Sequence, residues 1–306
     1  MSAALSAAAF GFLADLLRSR SGLVIGQDKI YLLETRLAPI LKRENLRDLN
    51  ELADRLRGRG TDAVARDVVE AMTTNESFFF RDDKPFQHFR SQALGRLVAA
   101  RPGGTPLRIW SAAASSGQEA YSLAMILSES KAVIGDRRVE LIGTDLARDQ
   151  LARAREGLYT QFEVQRGLPV QMLMRYFHRE DAGWRISDAL RAMVQWKEWN
   201  LLGDLRALGR FDIVFCRNVL IYFDQPTKTR ALEAIAGQMA ADGMLYLGGA
   251  ETVLGLTTRF APFPTERGVY GLASVPVTEA GRSDADSRIS LSPWSSVRTP
   301  RNFESA

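Results

Sequence analysis

The side chains able to do chemistry in this chain are carboxylates, amides, hydroxyls and guanidinium groups, because thiols and imidazoles are scarce. There is one cysteine, Cys216, and there are two histidines, His88 and His178, far apart in the sequence. No internal disulfide and no cysteine-based zinc site can be built from that set. A histidine-rich metal centre is excluded, and a Ser-His-Asp or Cys-His hydrolase is poorly supported. Cys216 has no histidine beside it to make a thiolate and reads as a small buried hydrophobe.

The polar residues of interest fall in four places. Trp110-Ser111-Ala112-Ala113-Ala114-Ser115-Ser116-Gly117-Gln118-Glu119 closes an apolar run and opens a helical stretch. Its small residues let backbone N–H groups approach a ligand. With one glycine it meets neither the phosphate-loop nor the dinucleotide fingerprint, and a plain strand-to-helix turn reads equally well. Gly143-Thr144-Asp145 closes the next run. Asp145 has two readings: the cap of a helix starting near Ala147, or a carboxylate holding the hydroxyl pair of a ribose. Cys216-Arg217-Asn218-Val219-Leu220-Ile221-Tyr222-Phe223 closes a third run, where Arg217 and Asn218 interrupt a core-like stretch. Finally, Thr73-Thr74-Asn75-Glu76-Ser77-Phe78-Phe79-Phe80-Arg81 sets three aromatics among polar groups. Two of the Phe residues are expected to bury a seam, leaving Asn75, Ser77 and Arg81 to face a cleft.

The elements that must position these residues follow from hydrophobic spacing. Phe10, Leu13 and Leu17 recur at three and four, as do Leu33, Leu37, Ile40 and Leu41, then Leu46, Leu49, Leu52 and Leu56. Pro39 is expected to kink or break the second segment, and Gly58 and Gly60 to mark a turn before a last helix through Val64, Val68, Val69 and Met72. Beyond about residue 105, LRIWSAA, VELIGTDL, FDIVFCRNV and GMLYLGGA alternate with helical stretches. That pattern makes an α/β domain with a parallel sheet. Residues 170–199 break the rhythm: RYFHRED, WRISDA and MVQWKEW read as a hairpin or three-stranded excursion around a turn at Asp181-Ala182-Gly183. The expected organisation is an all-helical domain over 1–72, an α/β domain over 73–273 with a small antiparallel β-subdomain at about 170–199, and a disordered tail over 274–306 that carries Trp294 and Phe303.

Composition narrows the class. Hydrophobic residues make up 46% and charged residues 25%, ordinary for a globular chain, which excludes a fibrous or wholly disordered protein. With 40 Lys and Arg against 36 Asp and Glu, the net charge of +4 permits an acidic partner without demanding nucleic acid. The opening MSAALSAAAFGFLADLL has no basic residue before Arg18 and carries Asp15, so it lacks the basic region of a signal peptide. No run of about 18 uncharged apolar residues follows. A cytoplasmic protein without membrane insertion is expected.

Taken together, TTNESFFFR, WSAAASSGQEAYS, IGTDL and FDIVFCRNVLIYF, in order over about residues 10–272, resemble the CheR family, the chemotaxis receptor glutamate methyltransferases. The resemblance implies a helical domain followed by a class I S-adenosylmethionine-dependent methyltransferase domain, Rossmann-like, with an inserted antiparallel β-subdomain. It implies S-adenosyl-L-methionine as cofactor, S-adenosyl-L-homocysteine as product and no metal. The substrates implied are glutamate side chains on the cytoplasmic methylation helices of chemoreceptors, converted to methyl esters. Cofactor contacts are implied at Asn75, Ser77, Arg81, Glu119, Asp145, Asn218 and Val219, with Asn200 and Leu201 against the adenine. Ser77 stands where the family usually has Thr, and Gln118 where a second acid is usual.

On this reading Glu119 pairs with the cofactor's ammonium, Asp145 with its ribose, and Arg81 with a carboxylate, the cofactor's or the substrate's. A glutamate acceptor is already ionised at neutral pH and needs no general base. Arg81 and Tyr222 are the candidate catalytic residues, although Tyr222 has packing as an equal reading. Lys29, Arg36 and Arg43, seven apart, would share a helix face and steer acidic receptor helices, or else form a solvated face with Glu34 and Glu44. The short loop HREDAGW argues against tight binding of a receptor-tail peptide. No nucleic-acid partner is expected, since an RNA-binding appendage is missing. The alternative is a non-catalytic relative that binds cofactor or receptor.

Overall fold

The structure, a computed structural model, describes residues 4–101, 103–264 and 266–273. The tail expected from residue 274 lies outside the described residues. Helices Ala7–Ser21, Ile30–Arg43, Leu49–Leu56 and Asp62–Met72 make the amino-terminal bundle. Two of their starts have a clear local cause. The Ser6 hydroxyl accepts the Ala9 N–H, and the Asp48 carboxylate accepts the N–H groups of Asn50 and Glu51. Leu13, Leu17, Leu33, Leu37, Leu52 and Val68 are fully buried, so the three-and-four spacings converge on one core. Pro39 does not interrupt the second helix as expected. It sits exposed inside Ile30–Arg43, and burial of Leu33, Leu37 and Ile40 on the opposite side offsets the hydrogen bond that proline forfeits.

The strands are β1 Leu107–Ala112, β2 Val139–Asp145, β3 Leu158–Tyr159, β4 Phe177–Glu180, β5 Gly183–Ile186, β6 Val194–Glu198, β7 Phe211–Cys216, β8 Met239–Leu247, β9 Phe260–Pro262 and β10 Val269–Leu272. The main sheet has the order β6-β2-β1-β7-β8-β10-β9. Its first five strands run parallel, and β10 and β9 are added antiparallel. Ile109, Leu141, Ile213 and Phe215 face one layer of helices, while Trp110, Ile142, Val214 and Cys216 face the other. Strands covered on both sides read as nearly continuous apolar runs, which is how they stand in the sequence. The chain moves outward from β1 through β2 to β6 on one side and from β7 to β8 on the other. The switch point therefore lies between β1 and β7, where a crevice opens beyond the strands' carboxyl ends.

The excursion expected over 170–199 is differently composed. Residues Val170–Tyr176 are helical, and the small sheet has the order β3-β5-β4, its third strand supplied by Leu158–Tyr159 from upstream. The β4–β5 turn falls at Asp181 and Ala182, as the sequence indicates. MVQWKEW instead supplies β6, paired parallel to β2 with Asp145 opposite Glu198. The reason is packing: the Trp196 indole sits against Gly143, where a Cβ would come within 2.3 Å of the ring.

Candidate active site

A cleft opens at the carboxyl ends of β1, β2 and β7, closed on its other flank by the junction Thr73–Arg81 and by Ser21 and Leu23 from the end of the first helix. Asn75, Ser77, Arg81, Glu119, Asp145, Asn200, Leu201, Asn218, Val219 and Tyr222 all line it. The β1 turn reaches the cleft through backbone that side chains seldom adopt, with Ala113 at φ 54° and Ser115 at φ 52°. Gly117, at φ 97°, then starts helix Gln118–Glu129 where a Cβ would press on Ala154 and Trp196 at 3.0 Å. Gln118 is buried away from the cleft and accepts the Ser116 hydroxyl at 2.9 Å, so the missing second acid leaves no gap in the cleft wall.

Two acids face the cleft, Glu119 partly buried and Asp145 buried. The Glu119 carboxylate accepts the Ser111 hydroxyl at 2.8 Å and has the Arg217 guanidinium 3.3 Å away. Burial pushes its carboxyl above the ordinary range, against the pull of Arg217 and Ser111. The Asp145 carboxylate takes the Ser115 N–H at 2.7 Å on one oxygen and the Ala147 N–H at 2.8 Å on the other. Asp145 is not the cap of the next helix, Arg148–Glu156, whose N-cap is Ala147 without a side-chain bond; it holds the turn before that helix and borders the cleft. Burial raises it too, opposed by those amides. Cys216 lies beneath, its thiol pushed up by burial, so it is no nucleophile.

At the rim, Phe79 is fully buried, edge-on to Tyr159 and Phe177, and Phe80 packs on Phe86. Phe78 stays on the cleft between two guanidinium groups, Arg81 at 5.0 Å and Arg166 at 4.3 Å from its ring. Arg81 donates to the Glu76 carbonyl at 3.2 Å. Asn75 donates to the Thr73 hydroxyl at 3.0 Å. The Asn200 amide donates to the Arg20 carbonyl at 2.5 Å and accepts the Leu202 N–H at 2.9 Å, which ties the first helix to the segment after β6. The Tyr222 carbonyl accepts the Val24 N–H at 3.1 Å from the same helix end.

Two residues matter more than their sequence context indicates. Arg217, recognisable only as a polar residue ending an apolar strand, has a side chain 1% exposed. It joins Glu119, the Asp82 carboxylate at 2.6 Å and the Arg81 carbonyl at 2.8 Å. Glu251, four residues past β8, accepts N–H groups from both Gly248 and the segment after β7. The strand-end rule that singles out Asp145 would have found it.

The three basic residues Lys29, Arg36 and Arg43 have different surroundings in the structure. Arg36 donates to the carbonyls of Met72 and Thr73 at 2.8 and 3.0 Å and to the Thr74 hydroxyl at 3.3 Å. Arg43 pairs with Asp67 at 2.6 Å and with Glu44 at 3.1 Å. The open carbonyls at the end of helix Asp62–Met72 are strong acceptors, and they turn Arg36 inward. Lys29, exposed in the short turn before the helix, makes no ion pair among the described residues.

Comparison with known proteins follows the same division of the chain. Residues 8–73 match the description "CheR methyltransferase, all-alpha domain", and residues 75–269 match "CheR methyltransferase, SAM binding domain". Chemotaxis protein methyltransferase 1 of Pseudomonas aeruginosa is 40% identical over 249 residues, covering 80% of this chain and 90% of that protein. Chemotaxis protein methyltransferase 1 of Vibrio cholerae is 37% identical over 254 residues, covering 80% of this chain and 89% of that protein. Among solved structures, a TehB-like SAM-dependent methyltransferase from Corynebacterium glutamicum aligns over 63% of this chain and 94% of that one, at 16% identity and a TM-score of 0.33, too slight a likeness to argue from. With both halves matched in order, and with relatives at these identities along most of their length, the chain belongs to the CheR methyltransferase family.

Proposed function

We propose that this chain methylates glutamate side-chain carboxylates of chemoreceptors in the cytoplasm, with S-adenosyl-L-methionine as donor. The observation that carries the reading is the meeting of two acids, the partly buried Glu119 and the buried Asp145, with Arg81 around one cleft at the β1/β7 switch point. The donor set suits a ligand bearing positive charge and hydroxyl groups. Asn218 adds a buried side-chain oxygen with no hydrogen-bond partner, an acceptor left over for a ligand N–H. When bound, S-adenosylmethionine would supply a methyl carbon made electrophilic by its positive sulfur.

The chain's own groups would then bind and align. Glu119 would take the cofactor's ammonium, sharing its charge with Arg217. Asp145 keeps lone pairs for ribose hydroxyls after its two amide bonds. The Asn200 amide is committed to Arg20, which leaves Trp199 and Leu201 to offer apolar surface to the adenine. Asn75, Ser77 and Val219 would complete the lining. Arg81, bound to the rim by one nitrogen, would take the incoming carboxylate, and the Tyr222 hydroxyl, without a hydrogen bond among the described residues, would orient it. Both reacting groups arrive already charged, so alignment is the main task, and it can supply roughly 7–11 kcal/mol. Lys29 would meet the acidic receptor helix. The two-residue β4–β5 turn supports the expectation that a receptor-tail peptide does not bind tightly, and calorimetry should find no micromolar affinity for one. Among the described residues, no helix is long and apolar enough to cross a membrane.

The test is incubation with methyl-labelled S-adenosylmethionine and receptor-bearing membranes, followed by release of label as volatile methanol in base. Base-labile label on receptors is expected, and it should be lost in Asp145→Ala together with cofactor binding. Label that is stable to base, or that enters RNA, would overturn the reading. An Asp145→Ala protein that binds cofactor as well as wild type would remove the ribose assignment.

A further inference from the structure

The segment after β7 carries Arg217, Asn218, Val219 and Tyr222 into the cleft, yet it is a short irregular stretch whose first turn has no cap of its own. Asn218 sits at φ 59°, and the single turn Leu220–Tyr222 receives no side-chain cap from Val219. Its N–H groups are answered from elsewhere. One oxygen of Glu251 accepts from Gly248 at 2.7 Å and Asn218 at 2.8 Å, and the other from Val219 at 2.9 Å, Leu220 at 2.7 Å and Ile221 at 3.3 Å. Every hydrogen bond of this buried carboxylate goes to a main-chain N–H, and it thereby joins the ends of two neighbouring strands. Gly248 is part of the same lock: a Cβ there would stand 2.7 Å from the Asn218 amide nitrogen and 2.8 Å from the Glu251 carboxylate.

We propose that Glu251 is a positioning residue, which shapes the segment Arg217–Tyr222 for cofactor and acceptor without touching either. This rests on reading the cleft as the cofactor site. A carboxylate suits the task because it is acceptor-only on both oxygens. Glutamine of the same size would turn an NH2 group toward one set of N–H donors, and alanine would leave all five unanswered.

The experiment compares wild type, Glu251→Gln and Glu251→Asp in two ways. Titration calorimetry with S-adenosylhomocysteine gives cofactor-site affinity, and hydrogen exchange of the ligand-free protein reports the loop. Glu251→Gln should weaken the ligand by roughly tenfold to a hundredfold, the span of one or two lost bonds to a charged group. Its kcat should fall while KM for receptor is unchanged. Exchange should accelerate at 218–221 and Gly248 alone, and Glu251→Asp, which keeps both oxygens, should recover part of each effect. Wild-type affinity with wild-type exchange at 218–221 would overturn the proposal. So would acceleration spread across the sheet and bundle, which would make the residue merely structural. If Glu251→Gln does not fold, the same measurements on Glu251→Asp decide, with no change from wild type as the overturning result. If wild type itself does not bind S-adenosylhomocysteine, the cofactor reading fails, and local exchange at 218–221 still judges Glu251.

Discussion

Glu119, partly buried, and Asp145, buried, are balanced differently, one against a guanidinium and a hydroxyl, the other against two main-chain amides. Burial leaves both carboxyls above their ordinary range. A carboxyl raised on folding contributes stability that is fully present below its unfolded pKa and lost as pH rises through its folded one. At neutral pH these two acids therefore weigh against the fold, and a cationic ligand group beside Glu119 offsets part of that. Binding of S-adenosylhomocysteine, whose ammonium needs the ionised carboxylate, should weaken as pH falls through the raised pKa of Glu119, by up to about tenfold per unit. Glu119→Gln should bind roughly tenfold to a hundredfold more weakly and lose this pH dependence. Calorimetry at stepped pH in buffers of different ionisation heat would show the coupled proton release in wild type and its absence in the variant.

The helix Ile30–Arg43 and the short turn before it give different surroundings to basic residues that a sequence reading sets on one face. Arg36 closes the carbonyl end of helix Asp62–Met72 and holds Thr73 and Thr74, both on the cleft wall, while Lys29 remains exposed. Arg36→Glu should lower unfolding stability by about 1–2 kcal/mol, because it unpairs those carbonyls, and should weaken cofactor binding as well. It is thus a poor probe of receptor docking. Lys29→Glu should raise KM for receptor several-fold and leave cofactor affinity unchanged. Paired denaturation and calorimetric measurements on the two variants separate the roles. An Arg36→Glu protein with unaltered cofactor affinity would show that the cleft wall does not depend on this contact.

Across the whole molecule the sheet divides stability from chemistry. The cleft lies at the carboxyl ends of the parallel strands, and a second charged cluster lies at their amino ends. There Arg101 binds Asp212 at 2.5 Å and Asp242 at 2.6 Å, and Asp212 also accepts the Arg108 N–H at 2.8 Å. Both members of the Arg101–Asp212 pair are largely buried, at 13% and 10% side-chain exposure. Arg101→Met would leave the Asp212 charge without its guanidinium and should cost about 3 kcal/mol in guanidinium chloride unfolding. Cofactor affinity, measured well below the melting temperature, should not change. Arg101 also holds the Asp242 carboxyl below its usual range, so the stability gained there is present at neutral pH and lost in acid as pH falls through that lowered value. The same substitution should flatten this part of the acid limb.

Much of this architecture is written locally. The bundle shows in three-and-four spacing, the parallel core in apolar runs, and Asp145, Asn218 and Tyr222 in their places after strand ends, where a ligand crevice must form. Local pattern tells which face of a segment is buried and where the segment stops, because those depend on neighbours a few positions away. It does not tell which partner the buried face meets. So β6 reads as part of a hairpin until Trp196 is seen over Gly143, and Arg36 reads as a docking charge until helix Asp62–Met72 presents its carbonyls. The Arg217–Glu119 pair spans 98 positions and the Glu251–Asn218 bond spans 33. Contacts of that range exist only once the strands are ordered in the sheet, and it is tertiary packing that turns a row of polar strand ends into one cleft.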